Sequence, residues 1–181
     1  MPDSGITKKA LAQAIKDLMA EVSFSKITVG DICDKCQMNR KSFYYHFRDK
    51  YDLVNWIYYT EFVETVHGKS YESGWDLFED ICRYLYNNRS FYVKALEISG
   101  QNSFRGYFSE VLEPIIMTYL EEDFPADKDR SFFAEFFTDA FLISIEKWLS
   151  RDSSLPPKEY VALLKKAASG VTSMIISHET D

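Results

Sequence analysis

Apolar residues recur at helical spacing along nearly the whole chain, and few residues interrupt them. In the first segment the spacing i, i+3, i+4, i+7 that lines one helix face is followed by Leu11, Ala14, Ile15, Leu18 and Val22. The 181 residues include seven glycines and five prolines, and no stretch alternates with a period of two for long. The sequence therefore predicts an all-α fold of about nine helices.

The composition is that of a globular protein, with 46% apolar and 27% charged residues. No apolar run approaches the roughly 18 residues of a membrane helix, so we expect no membrane partner. The first residues lack the basic and apolar regions of a secretory signal. Three cysteines are too few and odd in number for a disulfide framework. A cytoplasmic location is expected.

Charge is distributed unevenly along the chain. The net charge is −7, yet residues 1–50 hold nine Lys and Arg against six Asp and Glu. The remaining residues hold twelve basic and twenty-two acidic side chains. A polyanion would attract the N-terminal part and repel the rest, which would orient the molecule on approach.

Residues 28–50 have the pattern of two short helices joined by a tight turn. Thr28 is a good N-cap that can exchange hydrogen bonds with Asp31 in a variant of the capping box. Asn39 is a good N-cap for a third helix, predicted from Arg40 to about Phe47. This arrangement is a helix-turn-helix.

A loop at 68–74 divides the chain into two predicted domains, a helix-turn-helix domain at 1–67 and a helical domain at 75–181. Before the loop, Asp49 caps a long fourth helix that is predicted to end near His67. After the loop, helices are predicted at about 75–87, 89–98, 104–122 and 128–151, with a last one from Pro156 and Pro157 to near His178.

The third helix places two cations where its own dipole disfavours them. Arg40 and Lys41 lie in the first turn, at a cost of ~0.3–1 kcal/mol each, which predicts an anion from outside the chain. Phe43 and Phe47 can face the core. The opposite side is basic and aromatic, as insertion into a DNA major groove requires. The alternative is a solvated basic face on an ordinary bundle helix.

This segment also resembles a known family. Ile27-Thr28-Val29, Ile32, the run Met38-Asn39-Arg40-Lys41-Ser42-Phe43-Tyr44-Tyr45-His46-Phe47-Arg48-Asp49-Lys50 and Leu53 are similar to the DNA-binding domain of TetR-family transcriptional regulators. The likeness covers residues 6–67. Within the family, Phe43-Tyr44-Tyr45-His46-Phe47, followed by Asp49-Lys50-Tyr51-Asp52-Leu53-Val54 and Asn55-Trp56-Ile57, resembles the subgroup named for activators of dihydroxyacetone kinase operons. The family commonly has glycine at the first turn position, where this chain has Gln37.

The resemblance implies a transcriptional regulator that binds double-stranded DNA as a homodimer. Its operator would be near-palindromic, with half-sites roughly 34–36 Å apart or a multiple of that. Positions that usually hold phosphates match Thr28, Tyr44, His46 and Lys50. Positions that usually read bases match Arg40, Lys41, Ser42 and Tyr45. With the N-cap Asn39, these are the predicted DNA-binding residues.

The resemblance also implies an effector, a small molecule or a protein, acting at the second domain. Aromatic residues are dense there, and a pocket would be sought near Tyr84, Phe91, Tyr107 and Trp148. The alternative is that these rings simply pack in the core.

The last two helices are apolar on more than one side, which favours a second burial partner. Members of the family dimerise through these helices. The predicted interface residues are Phe137, Phe141, Trp148, Leu164, Ala167, Ala168, Val171, Met174 and Ile175. The alternative is a larger single core.

Other functions have weaker support in the sequence. Cys33-Asp34-Lys35-Cys36 is a C-x-x-C motif, but no second pair follows, so packing is favoured over a metal site or a redox site. No enzyme motif is present. We expect no catalytic residues, cofactor or metal. The main alternative is a helical interaction module that keeps the fold without binding DNA.

Overall fold

The computed structural model describes residues 4–66, 68–98, 100, 103–123, 130–151 and 155–178. Within these ranges the chain forms nine helices and no strand, so the predicted all-α class is confirmed. The helices are α1 Ser4–Glu21, α2 Val29–Lys35, α3 Arg40–His46, α4 Lys50–Tyr58, α5 Gly74–Asn87, α6 Arg89–Leu96, α7 Phe104–Asp123, α8 Arg130–Ser150 and α9 Pro157–His178. A single 3-10 turn, Phe24–Lys26, precedes α2.

The three predicted N-caps are confirmed. Thr28 and Asp31 form the reciprocal capping box at the start of α2. The side chain of Asn39 accepts a hydrogen bond from the backbone N–H of Ser42 in α3. Asp49 accepts from two backbone N–H groups in the first turn of α4. Each cap satisfies donors that have no partner inside the helix, which fixes where the helix begins.

The long fourth helix is interrupted. The α-helical part ends at Tyr58, a π-helical turn follows at Tyr59–Val63, and a last α-helical turn spans Glu64–Val66. No residue signals this change in advance, because residues 58–66 contain neither glycine nor proline. The rings of Tyr58 and Phe62 stack at 5.5 Å across the start of the π-helical turn.

The apolar stripe predicted for α1 is correct over most of its length but wrong at its end. Leu11, Ala14 and Ile15 are buried, whereas Val22 is 42% exposed and Met19 is buried instead. The reason is that α1 ends before Val22, so the helical periodicity no longer applies to it.

The chain divides into two compact units that do not follow chain order. The first unit comprises residues 1–69 and 88–107 and includes α6, which the sequence had assigned to the second domain. Lys94 of α6 donates hydrogen bonds to the carbonyl oxygens of Met19 and Ala20 at the end of α1. The Nζ of Lys16 lies 5.7 Å from the ring centroid of Phe91. These long-range contacts hold α6 against α1.

The second unit comprises residues 70–87 and 108–181. Its core contains a stack of rings, with Trp148 of α8 parallel to Tyr160 of α9 at 4.2 Å and to Tyr86 of α5 at 5.5 Å. The indole N–H of Trp148 donates to the carbonyl of Leu155. Trp148 therefore packs in the core of its own unit.

Helix α8 is apolar on two sides, as predicted, but its residues predicted for the dimer interface are not its exposed ones. Phe137 and Trp148 are buried, and Phe141 packs 5.3 Å from Phe78. The exposed apolar residues of α8 are instead Phe132, Phe136, Ala140 and Ile143. Those of α9 are Ala162, Leu163, Ala167 and Val171, and of these Ala167 and Val171 belong to the predicted interface. Leu164 and Ala168 are half-buried, and the side chains of Met174 and Ile175 lie outside the described ones. No described helix is long and apolar enough to cross a membrane.

Candidate nucleic-acid interface

The turn between α2 and α3 contains a left-handed residue. Gln37 has φ of 56°, and it is the one residue other than glycine with positive φ in the described part of the chain. The backbone N–H of Met38 donates to the carbonyl of Cys33 across the turn. The structure thus confirms a left-handed residue at the position where the family commonly has glycine.

Helix α3 has one buried side. Phe43 is buried completely and Phe47 nearly so, and their ring centroids are 5.8 Å apart. Phe47 also packs edge-on against Trp56 of α4 at 5.5 Å, and Lys8 of α1 lies 5.5 Å from the Trp56 ring. These contacts set the orientation of α3 about its own axis, and therefore determine which of its residues face solvent.

The other side of α3 is exposed and aromatic. Tyr45 is 81% exposed and Tyr44 is 58% exposed. Large aromatic side chains are normally buried or placed at contact surfaces, so two adjacent exposed rings need a partner to cover them. His46 is half-buried and meets the ring of Tyr45 edge-on at 4.9 Å.

The two cations at the start of α3 are exposed and remain available. Neither Arg40 nor Lys41 makes an ion pair within 4.0 Å among the described residues. Their charge at the positive end of the helix is therefore not neutralised by a carboxylate of the described chain. Ser42, the next residue, is half-buried, and its backbone N–H is used by the Asn39 cap.

Thr28 is engaged in its capping box at the edge of this surface. Its backbone N–H and its hydroxyl both donate to Asp31 Oδ2 at 2.7 Å. These two hydrogen bonds lower the pKa of Asp31 below its ordinary value of 3.8, and the charges of Arg40 and Lys50 add a smaller effect in the same direction. Asp31 is thus ionised at neutral pH and orders the first turn of α2.

Lys50 differs from the other predicted contact residues. Its Nζ donates to the carbonyl oxygens of Phe24 and Ile27 at 2.7 Å each, and lies 4.3 Å from the ring centroid of Phe24. Burial lowers the pKa of this ammonium group below its ordinary value. The ammonium is therefore bonded to its own chain, and its phosphate contact stays a prediction.

Gly30, in the first turn of α2, was not among the predicted contact residues. A Cβ at this position would lie 2.6 Å from Arg40 Nη2, because the guanidinium group rests against the glycine. No local pattern signals such a contact, since it joins residues of two different helices.

The C-x-x-C motif lies in α2, with Cys33 inside the helix and Cys36 at its C-cap. Cys33 is buried and Cys36 half-buried, and burial raises the pKa of both thiols, which disfavours the thiolate that redox chemistry needs. The described residues contain no group of three or more His, Cys, Asp or Glu side chains that could hold a metal.

The four residues predicted to lie near a pocket are divided between the two units. Phe91 and Tyr107 lie in the first unit, and Tyr84 and Trp148 lie in the second.

Comparison with known proteins identifies the family. Residues 11–57 match the family described as "Bacterial regulatory proteins, tetR family". Residues 74–170, more than half of the chain, match the family described as "Transcriptional regulator C-terminal region". The chain belongs to the TetR family. It is a DNA-binding transcriptional regulator with an N-terminal helix-turn-helix.

Relatives of this TetR-family protein are similar over most of its length. It is 29% identical over 160 residues to the HTH-type dhaKLM operon transcriptional activator DhaS of Lactococcus lactis, with 86% of each chain covered. A solved structure named dihydroxyacetone kinase operon activator DhaS matches 91% of this chain and 96% of its own, with 25% identity and a TM-score of 0.66. A transcriptional regulator of Aquifex aeolicus shares the fold, with 18% identity, a TM-score of 0.62, and 89% and 99% coverage.

Proposed function

We propose that the protein binds a near-palindromic operator as a homodimer and inserts one α3 helix per subunit into the major groove. Arg40, Lys41, Ser42 and Tyr45 would contact bases, and Thr28, Tyr44, His46 and Lys50 would contact phosphates, with Asn39 holding the start of the helix. The two helices would meet grooves one helical turn, or a multiple of it, apart.

The observation that carries this proposal is the solvent-facing side of α3. It combines two cations without carboxylate partners in the described chain with two exposed tyrosine rings. Guanidinium and ammonium groups suit guanine edges and phosphates, and aromatic rings suit thymine methyl groups. A surface that only needed to be solvated would have no use for the exposed rings of Tyr44 and Tyr45.

The exposed apolar residues of α8 and α9 support the homodimer. Phe132 is 63% exposed and Leu163 is 56% exposed, and both belong to apolar rows along their helices. Burial of such rows against a second copy of the same two helices would form a self-complementary interface.

The regulated genes and the effector are the finer part of the proposal. The relatives named DhaS are similar over both family regions, so we propose a dihydroxyacetone kinase operon as the first target to test. Trp148 lines a partly open cavity of about 380 Å³ in the second unit, together with Leu163 and Ala167 of the proposed dimer interface, and this cavity is the first place to test for a small-molecule effector. An effector would act by binding two states of the regulator with different affinities. DNA binding implies a cytoplasmic location.

The test is a selection of duplexes from a random pool, followed by binding measurements over a range of salt concentrations. Replacement of both Arg40 and Lys41 by alanine should weaken binding by at least tenfold. It should also relax the sequence preference at the bases that these residues contact, whereas loss of a phosphate contact would mainly lower the slope of log K against log salt by about one. The matched control replaces Lys158 and Lys165 of α9, which removes the same charge elsewhere and should change binding little.

The outcomes separate the proposal from its alternative. Enrichment of a palindromic site supports a two-fold dimer on DNA. A helical interaction module would enrich no duplex, and the double alanine variant would then behave as the unchanged protein does.

A further inference from the structure

Gly30 and Arg40 lie against each other although they belong to different helices. A Cβ built on Gly30 would lie 2.6 Å from Arg40 Nη2, 3.3 Å from Thr28 Oγ1 and 3.4 Å from Arg40 Cζ. Ordinary van der Waals contact for a Cβ begins at about 3.4 Å, so the guanidinium group occupies space that only glycine leaves open. Gly30 is buried even though it lies in the first turn of a short surface helix.

The backbone does not require glycine at this position. Positive φ occurs among the described residues at Gln37, Gly68 and Gly100, and Gly30 has ordinary helical geometry instead. Alanine is the better helix former, so glycine here weakens α2 locally. The close approach of Arg40 is the feature of the structure that uses the missing side chain.

The electrostatic surroundings hold the guanidinium group without consuming its donors. The carboxylate of Asp31, next to Gly30, is engaged by Thr28 and is close enough to Arg40 to feel its charge. Arg40 makes no ion pair with it. Nη2 is the guanidinium atom nearest to Gly30, and the Arg40 residue as a whole is exposed.

We propose that Gly30 is a positioning residue that presets Arg40 for base recognition and thereby determines part of the operator preference. The inference rests on the proposed function, since it assumes that Arg40 contacts DNA. A guanidinium group contacts guanine through two parallel hydrogen bonds, so its position matters as well as its charge. Resting on α2 reduces the side-chain freedom that binding would otherwise remove.

Substitution of Gly30 by alanine forces the guanidinium group to move by about 0.8 Å, because 2.6 Å must become at least 3.4 Å. The end of an arginine side chain is flexible, so the fold tolerates this shift. Base recognition does not tolerate the shift, because a binding group needs to be held within about 0.5 Å of its productive position.

The experiment compares Gly30→Ala, Arg40→Ala and the double variant on the duplex that the unchanged protein selects from a random pool. Arg40→Ala should weaken binding by on the order of 10- to 100-fold, the range for loss of one bidentate base contact. Gly30→Ala should weaken it by on the order of tenfold and relax the preference at the same base pair, with an unchanged or higher melting temperature. The double variant should bind no more weakly than Arg40→Ala alone if the methyl group acts through Arg40 rather than through the Thr28 hydroxyl, which would lie 3.3 Å from the same Cβ.

Two further variants serve as controls for this experiment. Gly106→Ala also replaces a helical glycine, but its Cβ would meet only Ser103 Oγ at 3.5 Å, so DNA binding should not change. Arg40→Lys keeps the charge and removes the planar group, so adding Gly30→Ala to it should cost nothing.

The inference is overturned if Gly30→Ala binds and selects as the unchanged protein does. It is also overturned if the loss persists fully in the Arg40→Ala background, because the methyl group would then act through Thr28 or clash with DNA directly. If the unchanged protein selects no duplex, or if Arg40→Ala binds DNA normally, the proposed contact between Arg40 and DNA is wrong. The role of Gly30 is then refuted as well, because it depends on that contact.

Discussion

The ammonium group of Lys50 donates a 2.7 Å hydrogen bond to the carbonyl oxygen of Ile27, which joins the start of α4 to the residue before the α2 capping box. A second bond of the same length reaches Phe24 in the 3-10 turn. One side chain therefore holds the segment that leads into the helix-turn-helix. The resemblance assigned this lysine to phosphate, whereas the structure gives it an internal partner on two carbonyls.

Replacement of Lys50 by methionine should destabilise the protein. The substitution keeps the apolar stem but leaves two partly buried carbonyl oxygens without their charged donor, at a cost of about 1–3 kcal/mol. Urea denaturation followed by circular dichroism measures the change in the free energy of unfolding. Lys26→Met is the control, because Lys26 is exposed on the same segment and should change stability little. Equal stability of the two variants would contradict the internal role of Lys50.

Replacement of Gln37 by glycine should stabilise the protein by about 0.5–1 kcal/mol. Relief of the left-handed backbone returns about 1–2 kcal/mol, and the greater freedom of glycine in the unfolded chain takes back about 0.4–1 kcal/mol. Thermal and urea denaturation measure the difference. Gln37→Ala should have nearly the original stability, because alanine keeps the same backbone strain. A glycine variant no more stable than the alanine variant would show that φ of 56° is not strained here.

The stability of the protein should fall at high pH partly through Tyr71. Its hydroxyl donates to Asp80 Oδ2 at 3.0 Å, and burial together with this carboxylate raises the pKa of Tyr71 to about 12. The raised pKa favours the folded state below the ordinary value of 10.0, and this contribution is lost as the pH rises from about 10 to about 12.

The check is urea denaturation between about pH 9 and about pH 11.5. Tyr71→Phe should be less stable near pH 9 but should lose less stability than the unchanged protein as the pH rises. Tyr59→Phe, at an exposed tyrosine, should follow the unchanged protein. Parallel curves for all three proteins would refute the coupling between Tyr71 and Asp80.

Leu163→Glu should convert the proposed dimer into a monomer. The side chain is exposed in the subunit, so the substitution should leave the fold intact while it places a charge in the proposed interface. Light scattering at micromolar concentration measures the molecular mass. Lys165→Glu, on another side of α9, should remain dimeric. An unchanged protein that is already monomeric at that concentration would remove the two-headed mode of DNA binding.

The local features of the helix-turn-helix were readable because they depend on residues close in sequence. The Thr28–Asp31 capping box and the Asn39 cap span three residues each, and their side chains reach the backbone without help from the rest of the fold. The burial of Phe43 and the exposure of Tyr45 follow from their positions on one short helix. Val22 was misplaced because the stripe was extended beyond the end of α1.

Features that depend on long-range contacts were not readable. Assignment of α6 to the first unit depends on Lys94 reaching Met19 across 75 residues. The burial of Phe137 and Trp148 within their own unit depends on which apolar side of α8 the neighbouring helices cover. Two apolar sides look alike in a sequence, and only packing distinguishes them.

The sequence by itself determined the helical class, the helix starts and the chemistry of the α3 surface. Capping hydrogen bonds and helical periodicity depend on residues that are close in sequence, so they can be predicted without the tertiary structure. The tertiary structure decided how those parts are used. It gave the Lys50 ammonium two internal carbonyls, and it brought Arg40 onto Gly30. It also chose the apolar side of α8 that remains exposed. Each of these outcomes depends on which separate parts of the chain pack together, and that is set by the three-dimensional structure.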